Sequence, residues 1–162
     1  MLTTQNEYND KRIKALERKA KRLEKSLLLA KGKPKRIPMS KLKKDIQKVT
    51  NKIVRLKYPH ICYTCDKDVT GDAQAGHHHP IGGHAATRYN FDNLRIQGSC
   101  CNLHKRGNQV VYSYRLRKEI GEDRYEALYQ LAHDKKFTWT REALEELYLE
   151  RKQMLYGMEN PL

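Results

Sequence analysis

The sequence predicts an α+β fold, mostly helical, in which a small Cys- and His-rich core stands between a basic helical arm and a C-terminal helical unit. Three observations predict it. Apolar residues recur at alternating spacings of three and four over residues 8–31 and again over 40–57. All four cysteines and six of the seven histidines fall between His60 and Asn108, where no helical periodicity runs until after Cys101. From residue 110 the periodicity returns. The domains follow as 1–57, 58–112 and 113–162.

In the first segment the apolar stripe is Ile13, Leu16, Ala20, Leu23, Leu27 and Ala30, the seam of a coiled coil. One glycine and two prolines break it in KGKPKRIP (31–38). Ser40 is placed to cap a second helix whose seam is Leu42, Ile46, Val49, Ile53 and Leu56. The two helices predict a hairpin, or a homodimer in which each pairs with a copy. Tyr58-Pro59 ends the second. The core then reads as short strands, a long loop and the start of a helix. Beyond it, helices are expected over 110–119, 122–135 and 140–155, with Gly121 separating the first two and Thr138 or Thr140 capping the last.

The chain of 162 residues carries a net charge of +14, and the excess is localised. Residues 1–57 hold 19 Lys and Arg against 5 Asp and Glu, while the remainder holds 14 of each. That asymmetry predicts a polyanionic partner, nucleic acid before a membrane surface. With 38% apolar residues and 32% charged, several small packed units are expected rather than one large core. No apolar run is long enough to span a membrane, and the N-terminus lacks the shape of a signal peptide.

In a reducing compartment, Cys62-x-x-Cys65 followed downstream by Cys100-Cys101 reads as a structural zinc site rather than disulfides. Adjacent cysteines point apart, so His104 is an alternative fourth ligand and His60 a weaker one. His77-His78-His79, followed by Pro80 and Gly82-Gly83, is hard to explain as packing. Imidazole can take a proton from water attacking a phosphodiester. A divalent metal, Mg²⁺ or Mn²⁺, would neutralise the charge that builds up, with Asn102 and the histidines as ligands.

These elements, in the order Cys62/Cys65, His77, Gly82-Gly83, Asn93-Leu94 and Cys101-Asn102 with Lys105, resemble zinc-containing HNH (ββα-metal) endonucleases. More narrowly, AGH…GGH…RYN…N…Q…CN…H…GN…YxYR is similar to the phage NinG (Rap) recombination nucleases over most of residues 58–155. The resemblance implies a zinc-stapled ββα-metal core that hydrolyses DNA, with branched recombination intermediates such as Holliday junctions as substrates. It implies His77 as general base, Asn93 orienting it across the loop, Asn102 as metal ligand and His79 as a second catalytic histidine. His84 and Arg88 would face phosphate. Lys105 and Arg106 beside the core, and Lys33, Lys35 and Arg36 of the basic arm, are further DNA-binding candidates. Two positions depart from the broader pattern. Gly76 stands where many HNH enzymes have Asp, which leaves His77 as an alternative metal ligand with His78 or His79 as base, and Gly98 stands where the second zinc pair begins. The expected setting is the cytoplasm of a bacterium or phage-infected cell. The rival reading is a non-catalytic zinc-binding adaptor for DNA or structured RNA.

Overall fold

The computed structural model describes residues 36–77, 79 and 84–161, together with the helical Lys21. Two compact units divide the chain, Met1–Ile37 and Pro38–Leu162. The expected helix over 8–31, Lys33, Lys35, His78 and the Gly82-Gly83 turn lie outside the described residues.

In the second unit the first helix, α1, spans Met39–Lys57. It begins after Pro38, so Ser40 lies inside its first turn and makes no cap. A proline at this boundary sacrifices no helical hydrogen bond, because the first amides of a helix have no intrahelical acceptor. The stripe expected as a seam is satisfied inside the chain. Leu42 and Ile46 pack with Tyr89 and with Leu144 of the last helix, and Val54 packs with Leu94 and Ile96. Leu56 alone of that stripe stays exposed. Packing thus groups α1 with the residues that follow it.

Two short strands come next, β1 (Gln74–Gly76) and β2 (Arg95–Gln97). They pair antiparallel, with Gln74 opposite Gln97 and Gly76 opposite Arg95. The connection between them carries the His-rich loop and a 3₁₀ turn, Phe91–Asn93. After β2 a π-helical turn, Cys100–His104, leads into α2 (Gln109–Ile120). Gly121, at φ +83°, breaks the chain between α2 and α3 (Glu122–His133). The last helix, α4 (Arg141–Glu159), is capped by Thr140, whose side chain accepts from the Ala143 amide at 3.2 Å. Of the two threonines expected, it is the second that caps.

Among the described residues the apolar core is divided into three small clusters, as the low apolar fraction predicts. Polar ties join them. Arg95 is almost wholly buried, and a buried guanidinium is tolerated only when its donors are matched. Its Nε lies 3.0 Å from both Glu119 oxygens, and Nη1 donates to the carbonyls of Phe91, Asp92 and Leu94. Tyr63 donates to the same Glu119 at 2.8 Å. Strand β2, the 3₁₀ turn and α2 are therefore tied to one another.

Candidate metal centre and histidine loop

The thiol site is assembled by two turns. Cys62 and Cys65 lie on a tight knuckle in which the Cys62 amide donates to Lys67 O at 2.8 Å and the Asp66 amide to Cys62 O at 2.9 Å. Asp66 closes the knuckle at φ 58°, and Arg115 of α2 grips its carboxylate through both terminal nitrogens, at 2.6 and 2.7 Å. Cys101 arrives from the π-helical turn. The sulfurs of Cys62, Cys65 and Cys101 lie within 4.8 Å of one another. Cys62 and Cys101 are buried. Burial opposes ionisation of Cys62, but hydrogen bonds from the backbone of Gly98 and Thr64 and from the Thr64 hydroxyl outweigh it and pull the thiol down to about 6. A set of soft sulfur donors, one of them poised as thiolate, fits a metal such as zinc.

Cys100 is exposed and outside this trio, which follows from adjacent side chains leaving a helical turn in different directions. His104 is exposed as well, and His60 is hydrogen-bonded to Arg55 O at 3.0 Å. Gly98 cannot carry a ligand without rearrangement, since a Cβ there would sit 2.6 Å from Val69 Cγ1. The Gly98 backbone itself hydrogen-bonds to the Cys62 thiol.

His77 is half-buried and directly follows β1. Two buried side chains hold the loop it begins. Asn93, 1% exposed, uses both ends of its amide on the backbone of His79: Oδ1 accepts from His79 N at 3.0 Å and Nδ2 donates to His79 O at 2.5 Å. The orienting role implied for Asn93 thus falls on the backbone of His79, two residues past His77. Tyr112 of α2 is fully buried, and its hydroxyl lies 3.0 Å from Gly76 O and 2.6 Å from Asn93 O. Its one proton is shared between the end of β1 and the turn before β2. Tyr112→Phe should therefore cost about 1–3 kcal/mol, because two buried carbonyls lose their donor. Chemical denaturation checks this, and an unchanged midpoint would show that the bridge contributes nothing.

His79 itself turns inward. It is 3% exposed, stacks on Tyr125 with ring centroids 3.9 Å apart, and places Nδ1 3.4 Å from Ser113 Oγ. Burial holds its pKa below the usual histidine value, which favours a neutral ring. His84 lies beside His133 of α3, centroids 5.2 Å apart, and His133 continues onto Tyr129 at 4.2 Å. Sequence reasoning misses His133, which stands 29 positions beyond the nearest other histidine in the chain, His104.

Asn102 is oriented by a chain of polar groups that the sequence does not flag. Its Nδ2 donates to Gln74 Oε1 at 2.7 Å, and Gln74 Nε2 makes a long 3.5 Å contact to Asp72 Oδ1. Hydrogen bonds from Ser99, its hydroxyl first and its amide second, hold the Asp72 carboxyl below its ordinary range, so it only accepts. That fixes the sense of the relay. Gln74 must turn its nitrogen to Asp72 and its oxygen to Asn102, and Asn102 must give its nitrogen to Gln74. The Asn102 oxygen is then the end of the amide turned away from Gln74. Lys105, Arg106, Arg88 and Arg36 are exposed, while His84 is half-buried.

Three thiols on two turns, together with a two-stranded sheet among helices, define a small α+β protein with a cysteine site able to hold a metal. The chain belongs to the family described as Bacteriophage Lambda NinG protein, whose model matches residues 2–160. It is similar to Protein ninG of Escherichia phage lambda, 27% identical over 124 residues, covering 76% of this chain and 60% of that protein. Protein ninG of Salmonella phage P22 is 29% identical over 127 residues, with the same shares. The chain thus spans about 60% of the length of these curated relatives. No solved structure gives a significant match. Among the described residues, no helix is long and apolar enough to cross a membrane.

Proposed function

We propose that this chain is a metal-dependent DNA endonuclease of the HNH type, acting on branched recombination DNA such as Holliday junctions inside the infected cell. One observation carries the reading. Strand, histidine loop, strand and helical turn follow one another in the order such a site needs, and side-chain hydrogen bonds hold both functional ends. Tyr112 pins the end of β1 beside His77, and the Asp72–Gln74 relay orients Asn102. A packing role alone has no use for an asparagine held in that sense.

In this reading His77 takes the proton from the attacking water. His79 is a positioning residue, since its ring is buried and neutral. Asn102 and a histidine of the loop would hold Mg²⁺ or Mn²⁺, which supplies charge neutralisation at the phosphate when bound. The thiols hold zinc outside the reaction and keep the π-helical turn, and so Asn102, in place. Lys105 and Arg106 present positive charge beside Asn102. Pairing of two copies would rest on residues 13–30, because the stripe on α1 is buried within the chain.

The test is cleavage of matched linear, flap and four-way DNA with Mg²⁺, Mn²⁺ or EDTA. Nicks near the branch, dependent on the divalent ion and faster on four-way than on linear DNA, are expected. Equal rates on all substrates would remove the junction specificity. Metal-independent silence on every substrate would leave the zinc-binding adaptor as the reading.

A further inference from the structure

A groove of about 470 Å³ opens between α1 and the segment leaving the histidine loop, and it shares no lining residue with the thiol site or the Asn102 relay. Lys43, Lys44 and Lys48 of α1 form one wall; Arg88 and Trp139 stand on the other, with Tyr89 between them and Ala85 beside it. No carboxylate lines it, and among the described residues none of the four cations is ion-paired. Four like charges converging on one concavity repel one another unless a polyanion enters.

The walls are held in place before any ligand arrives. The Tyr89 hydroxyl donates to Lys43 O at 3.1 Å, and Trp139 Nε1 donates to Ala85 O at 3.0 Å. The half-buried Trp139 ring is braced by Tyr89 and Phe137, at centroid distances of 5.8 and 5.2 Å. A rigid cationic groove with an aromatic wall suits a polyanion that also carries flat rings. Its volume is that of a small-ligand pocket, roughly 300–1,000 Å³, so a nucleotide enters and a double helix can only lie across the rim.

We propose that this groove binds a single, unpaired DNA strand, with the three lysines and Arg88 on its phosphates and Trp139 against a base. The DNA identity of the strand rests on the nuclease reading; the groove's preference for one strand over two does not. An unpaired strand held here would lead along residues 84–88 towards the histidine loop.

Trp139 is the only tryptophan in the chain, so its fluorescence reports on the groove directly. The full chain is titrated without added Mg²⁺ or Mn²⁺, which the proposed cleavage needs, and without chelator, so that the thiol-bound metal stays in place, with a short oligothymidylate, the matched oligouridylate and a hairpin duplex of equal nucleotide count. Saturable quenching by oligothymidylate, at lower concentration than by either competitor, is expected. Lys43→Ala combined with Lys44→Ala changes two exposed side chains and should flatten the log–log salt slope by about 1.4, two phosphate contacts on a single strand. Trp139→Phe should abolish the signal while fluorescence anisotropy of a labelled strand still reports binding.

Quenching by duplex as strong as by oligothymidylate, or an unaltered slope in the double-lysine variant, would overturn the single-strand groove. Tighter binding of oligouridylate would overturn its assignment to DNA. Cleavage of four-way DNA by the parent protein is scored separately, so absence of nuclease activity and absence of the groove give different results.

Discussion

His77→Ala should lower DNA cleavage by about 10²- to 10⁴-fold, the share of rate a general base supplies, while folding and DNA binding persist. His77 is half-buried at the edge of the hairpin, and Asn93 and Tyr112 tie the backbone on either side of it, at His79 and Gly76. His79→Ala provides the contrast. Its ring is 3% exposed and stacked on Tyr125, so truncation empties a buried site at about 2–4 kcal/mol. Activity lost in that variant should return on cooling, in step with recovered fold. Measured side by side by single-turnover cleavage and thermal unfolding, the two variants separate chemistry from positioning. Full activity of a folded His77→Ala protein would remove the proposed base, and an unaltered melting temperature for His79→Ala would contradict its packing role.

Removal of one buried thiol should have a still larger effect, on folding itself. Zinc is expected at one ion per chain. Cys62→Ser and Cys101→Ser should each release it and unfold the region around the hairpin. Structural zinc contributes roughly 10–16 kcal/mol of apparent binding energy in small finger peptides, more than a set of small apolar clusters can replace. Unfolding would propagate from the cysteines. Cys101 directly precedes Asn102 in the π-helical turn, and Cys62 and Thr64 meet the Gly98 and Gln97 end of β2. Cys100→Ser should keep its zinc, because that thiol is exposed and lies outside the trio. Elemental analysis with circular dichroism decides the matter. A folded, zinc-free Cys62→Ser protein would show that the thiols are merely buried, whereas zinc loss in Cys100→Ser would place that residue as the fourth ligand after all.

Much of this architecture was legible in residue order. Periodic apolar spacing marks α1 to within two residues, because a helix must repeat its buried face every three to four positions. Gly121 and Thr140 mark the helix boundaries, because left-handed backbone favours glycine and a free amide at a helix start needs an oxygen. The cysteine spacing pointed to a shared metal, and three of the four thiols converge. Those inferences rest on local rules, which hold wherever the chain folds.

What only the tertiary structure decided depends on residues brought together from far apart. The seam of α1 suits a partner helix of any origin, and packing against α4 and β2 selected one within the chain. Three adjacent histidines look alike in sequence, yet burial beneath Tyr125 separates His79 from His77. Gln74 and Asp72 carry no motif, and they matter only because strand pairing sets them against the turn that holds Asn102. Likewise, Lys43, Lys44 and Lys48 read as a solvated helix face until Arg88 and Trp139 close the opposite wall. Sequence periodicity records which face of an element avoids water. It does not record what that face meets, because that depends on contacts between residues dozens of positions apart.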